Sequence, residues 1–347
     1  MSEKYFAASN SGDGFCSYYD GAFDRKNLNR IYVIKGGSGT GKAFFMKNVA
    51  TEAEKRGMSV RYIYCSSDSH SLDGIIINEM KTAVLDGTSP HVFEPQAVGA
   101  IEAIVDLGAF LDEKKLIECR AHVEGALAEK SRGFSVAYKY LAAYKKISLA
   151  IEELVTPCVN IEKLRDYLEK FSENAEKGSG KVEHLLTRSI GMRGLCDFDT
   201  YRERAKIYYR INDCFDTAHI LLRELFSALS KHNVDVRVSN NPIIPERLDA
   251  LCITSQGLAF EINNEIRDGA RTINMKRFVD AARLSETRGE YRAAAKVRDE
   301  VLNLAVSAFE KIKKYHFVLE DIYGSAMDFA AKEQFTEHFC KKIFQNN

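Results

Sequence analysis

The sequence lacks net charge, closely spaced cysteine pairs and long apolar runs. Its 49 basic and 49 acidic residues balance, so composition indicates neither a nucleic-acid partner nor a membrane partner. The eight cysteines are scattered and form no C-x-x-C pair, which leaves zinc ribbons and thioredoxin-like redox motifs unsupported. Dispersed thiols in a long chain are typical of a reducing compartment, so we expect a cytoplasmic protein.

Two membrane-related features are also missing. The opening residues, MSEKYFAASNSGDG, contain no apolar segment of the kind found in secretory signal peptides. No run of about 18 apolar residues occurs, so we expect no transmembrane helix. With 347 residues, of which 45% are hydrophobic, the chain is long enough to form about two domains with sizeable cores.

The stretch IYVIKGGSGTGKAFF, Ile31 to Phe45, is the most informative part of the sequence. A β-branched strand pattern runs directly into a glycine-rich loop. Apolar residues then recur at helical spacing from Met46, and Gly57 predicts the end of that helix. Strand, loop and helix in this order predict a phosphate-binding loop of the form G-x-x-x-x-G-K-[ST]. A glycine-rich turn without a ligand is the alternative.

The physical chemistry of such a loop assigns roles to its residues. Glycines let successive backbone amides point at phosphate oxygens, and the following helix adds its positive N-terminal end. The lysine, here Lys42, neutralises the β- and γ-phosphates and is a predicted catalytic residue. We therefore predict that the loop binds ATP or another nucleoside triphosphate together with Mg²⁺. The predicted binding residues are Gly36, Gly37, Ser38, Gly39, Thr40, Gly41, Lys42 and Ala43.

Ala43 departs from the motif at its last position, where a Ser or Thr hydroxyl normally ligates Mg²⁺. A methyl group donates no oxygen to a metal, and Mg²⁺ neutralises the charge that develops in phosphoryl transfer. We expect weaker metal binding and slower chemistry at this site. Nucleotide binding should persist, because the backbone amides and Lys42 remain.

Three further polar residues follow predicted strands. Asp86 closes the buried pattern TAVLD and is the predicted metal ligand and second catalytic residue, as a Walker B aspartate that holds Mg²⁺ through water; a turn aspartate before Gly87 is the alternative. Asp68 follows RYIYCSS at the edge where ligands bind in open α/β sheets, although a solvated loop acid is the simpler interpretation. His91 is a candidate γ-phosphate sensor, with a structural loop histidine as the simpler interpretation.

The rest of the first half predicts more helix. Leu72 to Met80 reads as a short helix, and the long charged pattern from about Gly99 to Phe171 predicts a helical hairpin or arm. Ser172 to Lys181, SENAEKGSGK, has the composition of a linker.

After this linker the sequence repeats its earlier pattern. At a shift of 176 positions, Ile31 and Tyr32 fall on Ile207 and Tyr208, and flanking segments match in the same order at nearby shifts. This predicts an internal duplication; the alternative is two unrelated α/β segments that share a generic strand and helix pattern.

The second copy lacks the phosphate-binding chemistry. Asn212 to His219, NDCFDTAH, aligns with the glycine loop but contains neither glycine nor lysine. Asp213 and Asp216 would repel phosphate there. The position of Asp86 falls on Ile262, or on the preceding glutamate if the register slips by one.

The chain resembles bacterial tandem P-loop proteins described as ATPase-like or nucleotide-kinase-like. The resemblance lies in YFAASNSGDGFCSYYD, IYVIKGGSGTGK, YIYCSSDSHSLDGIII and VLDGTSPHVFEP. It covers most of the first half closely and the second half in outline. It implies that Gly36 to Lys42 match the nucleotide loop and that Asp86 matches the aspartate of a DGT-x-PH segment. In that family both halves carry a loop ending in Gly-Lys-Ser/Thr, so Ala43 and Asn212 to His219 are departures.

Together these patterns predict an α/β protein of two tandem P-loop-type domains with helical extensions, the second degenerate. The predicted bounds are 1–171, a linker at 172–182, and 183–347. The predicted function is ATP hydrolysis or phosphoryl transfer, weakened by Ala43. The alternative is a nucleotide-binding regulator or scaffold whose helical arms contact a protein partner.

Overall fold

The computed structural model describes residues 2–90, 92–265 and 269–345. It is an α/β structure built on two six-stranded mixed sheets, each accompanied by a small β-hairpin. The strands of the first half are β1 (Glu3–Phe6), β2 (Ala8–Ser11), β3 (Gly14–Ser17), β4 (Arg30–Lys35), β5 (Val60–Tyr64), β6 (Leu72–Ile77), β7 (Thr82–Asp86) and β8 (Glu102–Asp106). The strands of the second half are β9 (Val182–His184), β10 (Arg188–Gly191), β11 (Gly194–Asp197), β12 (Ile207–Asn212), β13 (Val236–Asn240), β14 (Leu248–Ile253), β15 (Leu258–Ile262) and β16 (Arg271–Asn274).

The two sheets share one strand order. The first runs β1-β5-β6-β7-β4-β8, and the second, read from the matching edge, runs β9-β13-β14-β15-β12-β16. In both sheets the strand that precedes the predicted phosphate loop, or its counterpart, is parallel to its two neighbours. This common order agrees with the predicted repeat.

Main-chain hydrogen bonds define how the two halves correspond. Gly87 N donates to Ile34 O at 3.0 Å, and Asn263 N donates to Ile211 O at 3.0 Å. The acceptor strands therefore correspond at a shift of 177 (211 minus 34) and the donors at 176 (263 minus 87). The loop after β12 is accordingly one residue shorter than the glycine loop.

This correspondence decides which residue replaces Asp86 in the second half. At the shift of 176, Asp86 corresponds to Ile262, each being the last residue of its strand. The neighbouring Glu261 is buried and accepts a hydrogen bond from the hydroxyl of Tyr208 at 2.6 Å. Ile262 is therefore the correct one of the two predicted alternatives. The predicted match of Ile31 and Tyr32 to Ile207 and Tyr208 is wrong by one residue, because these strands correspond at a shift of 177.

The helices are α1 (Tyr19–Ala22), α2 (Lys42–Lys55), α3 (Glu113–Glu118), α4 (Arg120–Val155), α5 (Ile161–Glu173), α6 (Thr200–Arg204), α7 (Ala218–Lys231), α8 (Ala281–Ser325) and α9 (Phe329–Gln345). α2 begins directly after the glycine loop, as predicted. It ends before Gly57, whose φ of 78° is the left-handed conformation that glycine adopts beyond a helix end.

The predicted helical arms form one antiparallel pair. Near one end Lys130 Nζ of α4 lies 3.3 Å from His316 Nδ1 of α8, and further along Tyr144 of α4 lies beneath Arg298 of α8. Residue numbers rise along α4 as they fall along α8, so the two helices run in opposite directions.

The last helix of each half packs into the core of the other half. Leu164 and Leu168 of α5 belong to a buried cluster with residues of α7 and β13, such as Leu221. Conversely, Phe339 of α9 packs against Phe45 of α2, with ring centroids 5.0 Å apart. The bounds 1–171 and 183–347 are thus bounds of the sequence repeat, while each packing unit takes one helix from the other repeat.

Two secondary-structure predictions are wrong. Leu72 to Met80, predicted as a helix, contains β6, which pairs with β5 and β7 and whose residues are all buried. Glu102–Asp106, inside the predicted helical region, is β8 and pairs with β4. For β6 the physical reason is that a short apolar run buried on both faces has no periodicity that separates strand from helix.

Candidate functional site

The glycine loop lies between β4 and α2 in a conformation that depends on glycine. Gly39 and Gly41 have φ of 75° and 78°, which side chains other than glycine rarely adopt. Thr40 is buried, and its hydroxyl donates to Gly37 O at 2.9 Å, which closes the turn. Ser38 is half-buried within the loop.

The helix that follows the loop begins without a side-chain cap in the described structure. Its N-cap residue is Gly41, and no side chain accepts a hydrogen bond there. The first amides of a helix have no intrahelical acceptor, and the aligned peptide dipoles make this end positive. The loop therefore presents an uncompensated positive helix terminus.

Lys42 folds back over the loop. Its ammonium donates to Gly36 O at 2.9 Å and to Gly37 O at 2.8 Å. It also lies 3.5 Å from Asp86 Oδ2. The structure thus brings together the two residues predicted to be catalytic.

Asp86 reaches the loop because β7 lies beside β4 in parallel, with Ile34 opposite Asp86. Its Oδ1 accepts hydrogen bonds from Thr88, from the amide at 2.9 Å and the hydroxyl at 2.6 Å. Burial raises the pKa of Asp86, while the Lys42 ammonium acts in the opposite direction. One carboxylate oxygen thus stabilises the turn, and the other faces the lysine.

Ala43 is half-buried at the start of α2 and packs against the apolar core beneath the helix. The described residues include no group of three or more His, Cys, Asp or Glu side chains suited to a metal ion. Magnesium bound with a nucleotide takes ligands from phosphates, from water and from one or two carboxylates. Asp86 can supply one such carboxylate, whereas the Ala43 methyl group supplies no ligand.

Helix α8 of the second half lies directly on the glycine loop. A Cβ placed on Gly39 would lie 2.5 Å from the carbonyl oxygen of Glu320, and one on Gly37 would lie 2.6 Å from the ring of Tyr323. A side chain at Gly39 would therefore displace the backbone of α8, and one at Gly37 would displace the Tyr323 ring. Sequence reasoning missed these contacts, because Glu320 and Tyr323 lie in a long charged helix with no local motif.

The two remaining candidate residues from the sequence are Asp68 and His91. Asp68 forms an ion pair with Arg193, with 2.5 Å between Oδ1 and Nε, and also accepts the amide of His70. Burial by itself would raise the pKa of Asp68, but the hydrogen bond and charge of Arg193 and the amide of His70 together lower it. Asp68 therefore joins the first half to the β10–β11 hairpin and is not a solvated loop acid. His91 lies outside the described residues.

The loop that replaces the glycine loop in the second half supplies its own anion. Asp213 Oδ1 accepts the amide of Ala218, the first residue of α7, at 2.9 Å and the amide of Cys214 at 2.8 Å. Asp216 forms an ion pair with Arg298 of α8. A carboxylate therefore caps this helix, in contrast to the uncapped start of α2.

A cavity of about 390 Å³ lies at this edge of the second sheet, where the sequence predicted no site. Its charged walls are already paired. Arg188 lies 2.9 Å from Asp197 and 3.5 Å from Asp249. Sequence reasoning missed the cavity because distant segments line it: Tyr144, Arg188, Asp197, Asp213, Asn241, Arg247, Asp249, Ile262 and Arg298 are among the lining residues.

The long helices α4 and α8 connect the glycine loop of the first half with the corresponding loop of the second half. Glu152 of α4 lies beside the second loop, where its Oε2 accepts a hydrogen bond from Arg247 at 2.7 Å and its Oε1 lies 3.2 Å from His219 Nε2. The caps of α5 and α9, Asn160 and Asp328, place the ends of the two halves at a shift of 168 (328 minus 160). At this shift the residue of α8 that corresponds to Glu152 is Glu320, which lies on the glycine loop. Each long helix therefore extends from one half to the loop of the other.

The sequence matches no protein-family model, and neither the curated proteins nor the solved structures contain a significant match.

Among the described residues, no helix combines the length and the apolar character needed to cross a membrane.

Proposed function

We propose that the chain binds ATP or another nucleoside triphosphate, with Mg²⁺, at the glycine loop, and that it hydrolyses ATP or transfers its γ-phosphoryl group slowly. One observation carries the proposal: the Lys42 ammonium, the Asp86 carboxylate and the uncapped start of α2 converge on one left-handed glycine loop. In a magnesium–triphosphate complex the ammonium and the helix terminus would contact phosphate oxygens, and the carboxylate would support the metal.

The residues of the loop have separate roles in this proposal. The amides between Gly36 and Ala43 hold phosphate oxygens, and Lys42 exchanges its bonds to loop carbonyls for bonds to the β- and γ-phosphates. Asp86 supports Mg²⁺, which supplies charge neutralisation at the phosphates when bound. The rate is low because Ala43 provides no metal ligand.

The second half contains a cavity of about 390 Å³, yet the chemistry favours the glycine loop. Phosphate binds where hydrogen-bond donors and positive charge are uncompensated. At the second loop Asp213 already occupies the helix terminus, and Arg298 is paired with Asp216. An anion there would have to displace these carboxylates.

Calorimetric titration with MgATP tests the binding proposal. Lys42→Ala should weaken ATP binding about 10- to 100-fold, because charge-assisted hydrogen bonds contribute about 1.5–3 kcal/mol each. Asp213→Ala is the matched control in the second loop. It should leave ATP affinity nearly unchanged while it lowers the melting temperature, because α7 loses its cap. Absence of ATP binding by the unaltered chain would refute the proposal.

Hydrolysis assays test the role of the missing hydroxyl. Ala43→Ser adds an oxygen at the metal-ligand position and should raise Mg²⁺-dependent hydrolysis roughly tenfold or more. Ala43→Val, which adds bulk without an oxygen, should give no increase. An equal effect of both variants would mean that packing, and not metal ligation, limits the rate.

A second candidate function is a nucleotide-dependent regulator with little turnover. Contact between α8 and the glycine loop favours it, since a ligand at the loop would directly affect a helix that extends to the other half. Exposed apolar side chains on the α4–α8 pair, including Leu127 and Val297, offer a surface for a protein partner. Tight ATP binding without hydrolysis, both before and after Ala43→Ser, would favour this function.

A further inference from the structure

Lys332 of α9 lies at the N-terminus of α2. A Cβ placed on Gly41 would be 2.6 Å from Lys332 Nζ. The residue is only 3% exposed, and its ammonium lies over the rings of Phe44 at 4.8 Å and Phe329 at 5.2 Å. A lysine from the last helix of the second repeat therefore adjoins the glycine loop of the first repeat.

This ammonium has aromatic neighbours but no anionic partner among the residues that the structure describes. No described carboxylate lies within ion-pair distance, and the one acid that influences its charge is Glu333, the next residue in the chain. Burial lowers the pKa of the Lys332 ammonium. The positive end of α2 adds repulsion, because cations are disfavoured at a helix N-terminus. No described residue accepts a hydrogen bond from this ammonium, and a largely buried lysine beside positive charge is unfavourable unless an anion joins it.

The second repeat offers an internal comparison. Asn160 and Asp328 cap α5 and α9 in the same way, each accepting the amide three residues later. The two helices thus correspond at a shift of 168 (328 minus 160), and the counterpart of Lys332 is Leu164. Leu164 is fully buried in an apolar cluster.

The two halves therefore differ in which charged residues lie at the corresponding helix terminus. The second half has a carboxylate at its helix terminus, that of Asp213, and a leucine on the packing helix. In the first half no side chain caps the start of α2, the Asp86 carboxylate faces Lys42, and the packing helix carries a lysine. The first half thus adds a cation where the second half has leucine, as expected where an anionic ligand joins the helix terminus.

We infer that Lys332 is a second phosphate-binding cation of the glycine loop, so that the nucleotide site is assembled from both repeats. This inference rests on the proposed nucleotide function. The ligand chemistry is an anionic phosphate group at the N-terminus of α2, with Lys42 contacting it from the loop and Lys332 from α9.

Lys332→Met tests the inference, because methionine keeps the unbranched apolar stem of the side chain and removes the charge. MgATP and inorganic pyrophosphate are titrated into the full chain by calorimetry, and melting temperatures are recorded without ligand. We expect about 10- to 100-fold weaker binding of both ligands, with a melting temperature that is unchanged or higher. Lys332→Arg should keep affinity within a few-fold of the unaltered chain, and Lys341→Met, at an exposed position of α9, should bind normally.

The outcomes separate this inference from the proposed function. If Lys42→Ala abolishes binding and Lys332→Met binds normally, the inference fails and the proposed function stands. If Lys332→Met and Lys332→Arg both lose affinity and stability alike, Lys332 is structural and the inference also fails. If the unaltered chain binds neither ATP nor pyrophosphate, both proposals fail.

Discussion

Lys42 and Lys332 reach the start of α2 from parts of the chain 290 positions apart (332 minus 42). Lys42 has carbonyl acceptors and a nearby carboxylate, whereas Lys332 has aromatic faces alone. Asp86 supplies one negative charge against two ammonium groups and a positive helix terminus. At the scale of single residues, the start of α2 therefore has one lysine without a carboxylate partner among the described residues, which favours binding of a phosphate group.

The contribution of Glu152 to stability, beside the loop of the second half, can be tested by varying the pH. His219 and Arg247 lower the pKa of Glu152 to about 2, although burial lowers the pKa of His219 itself and favours its neutral form. We therefore assign most of the stabilisation to Arg247. A carboxyl group whose pKa is depressed on folding stabilises the protein above its unfolded pKa, near 4.5, and this contribution is lost as pH falls toward 2.

Glu152→Gln should accordingly lower the free energy of unfolding by about 2 kcal/mol at pH 7. The difference between the two proteins should shrink as pH falls below 4.5. Urea unfolding at pH 7, 5 and 3.5 measures it. Glu153→Gln, one position along the same helix, should have little effect. A difference independent of pH would show that Glu152 acts through packing rather than charge.

At the scale of elements, the exchanged helices are the main structural feature. Phe339 of α9 packs its ring against Phe45 at 5.0 Å and Tyr32 at 4.9 Å. Since these partners belong to α2 and β4, α9 supports the two elements that flank the glycine loop. The stability of that loop thus depends on residues near the other end of the chain.

Phe339→Ala should destabilise the protein by about 3–5 kcal/mol, because it leaves a cavity in a buried aromatic cluster. Phe339 is 8% exposed and Phe329, on the same helix, is 48% exposed. Phe329→Ala is thus the matched control and should cost less than about 1 kcal/mol. Urea denaturation monitors both. Equal small losses would mean that α9 contributes little to the first core.

At the scale of the whole molecule, charges also join the halves. Arg61 donates to Glu3 at 3.0 Å and to Glu183 at 2.8 Å, and Arg237 donates to Glu183 at 2.7 Å. Residues of the two sheets also share one buried apolar cluster. The repeats therefore cohere through a charge network, a common core and two exchanged helices.

Cleavage of the linker tests this cohesion. Glu176 and Lys177 are exposed, so a protease site can be inserted between them and cut in the folded protein. The two fragments should co-elute on gel filtration at the volume of the intact chain, since each holds a helix in the core of the other. They should separate in denaturant. Separation under native conditions would contradict the exchange of α5 and α9.

Much of the first half was predictable from local pattern. The strand, glycine loop and helix follow from β-branched residues, from glycine and from helical spacing, all within Ile31 to Gly57. Lys42 and Asp86 were identified because their positions follow a motif and a strand end. The common strand order of the two sheets agrees with the predicted repeat, which needed only a self-comparison of the sequence.

Other features required the tertiary structure. β6 is a strand because β5 and β7 flank it, and its apolar residues alone do not distinguish strand from helix. The exchange of α5 and α9 leaves no local trace, since an amphipathic helix reveals its apolar face but not its partner.

The sequence by itself thus determined the glycine-rich loop between a strand and a helix, the alanine at position 43 and the repeated pattern, because each can be read from local segments of the chain. The tertiary structure alone decided that Lys332 and α8 adjoin the glycine loop, that Asp213 caps the second helix, and that a cavity lies beside it. Contacts between distant segments arise from packing and charge compensation, which no local periodicity encodes.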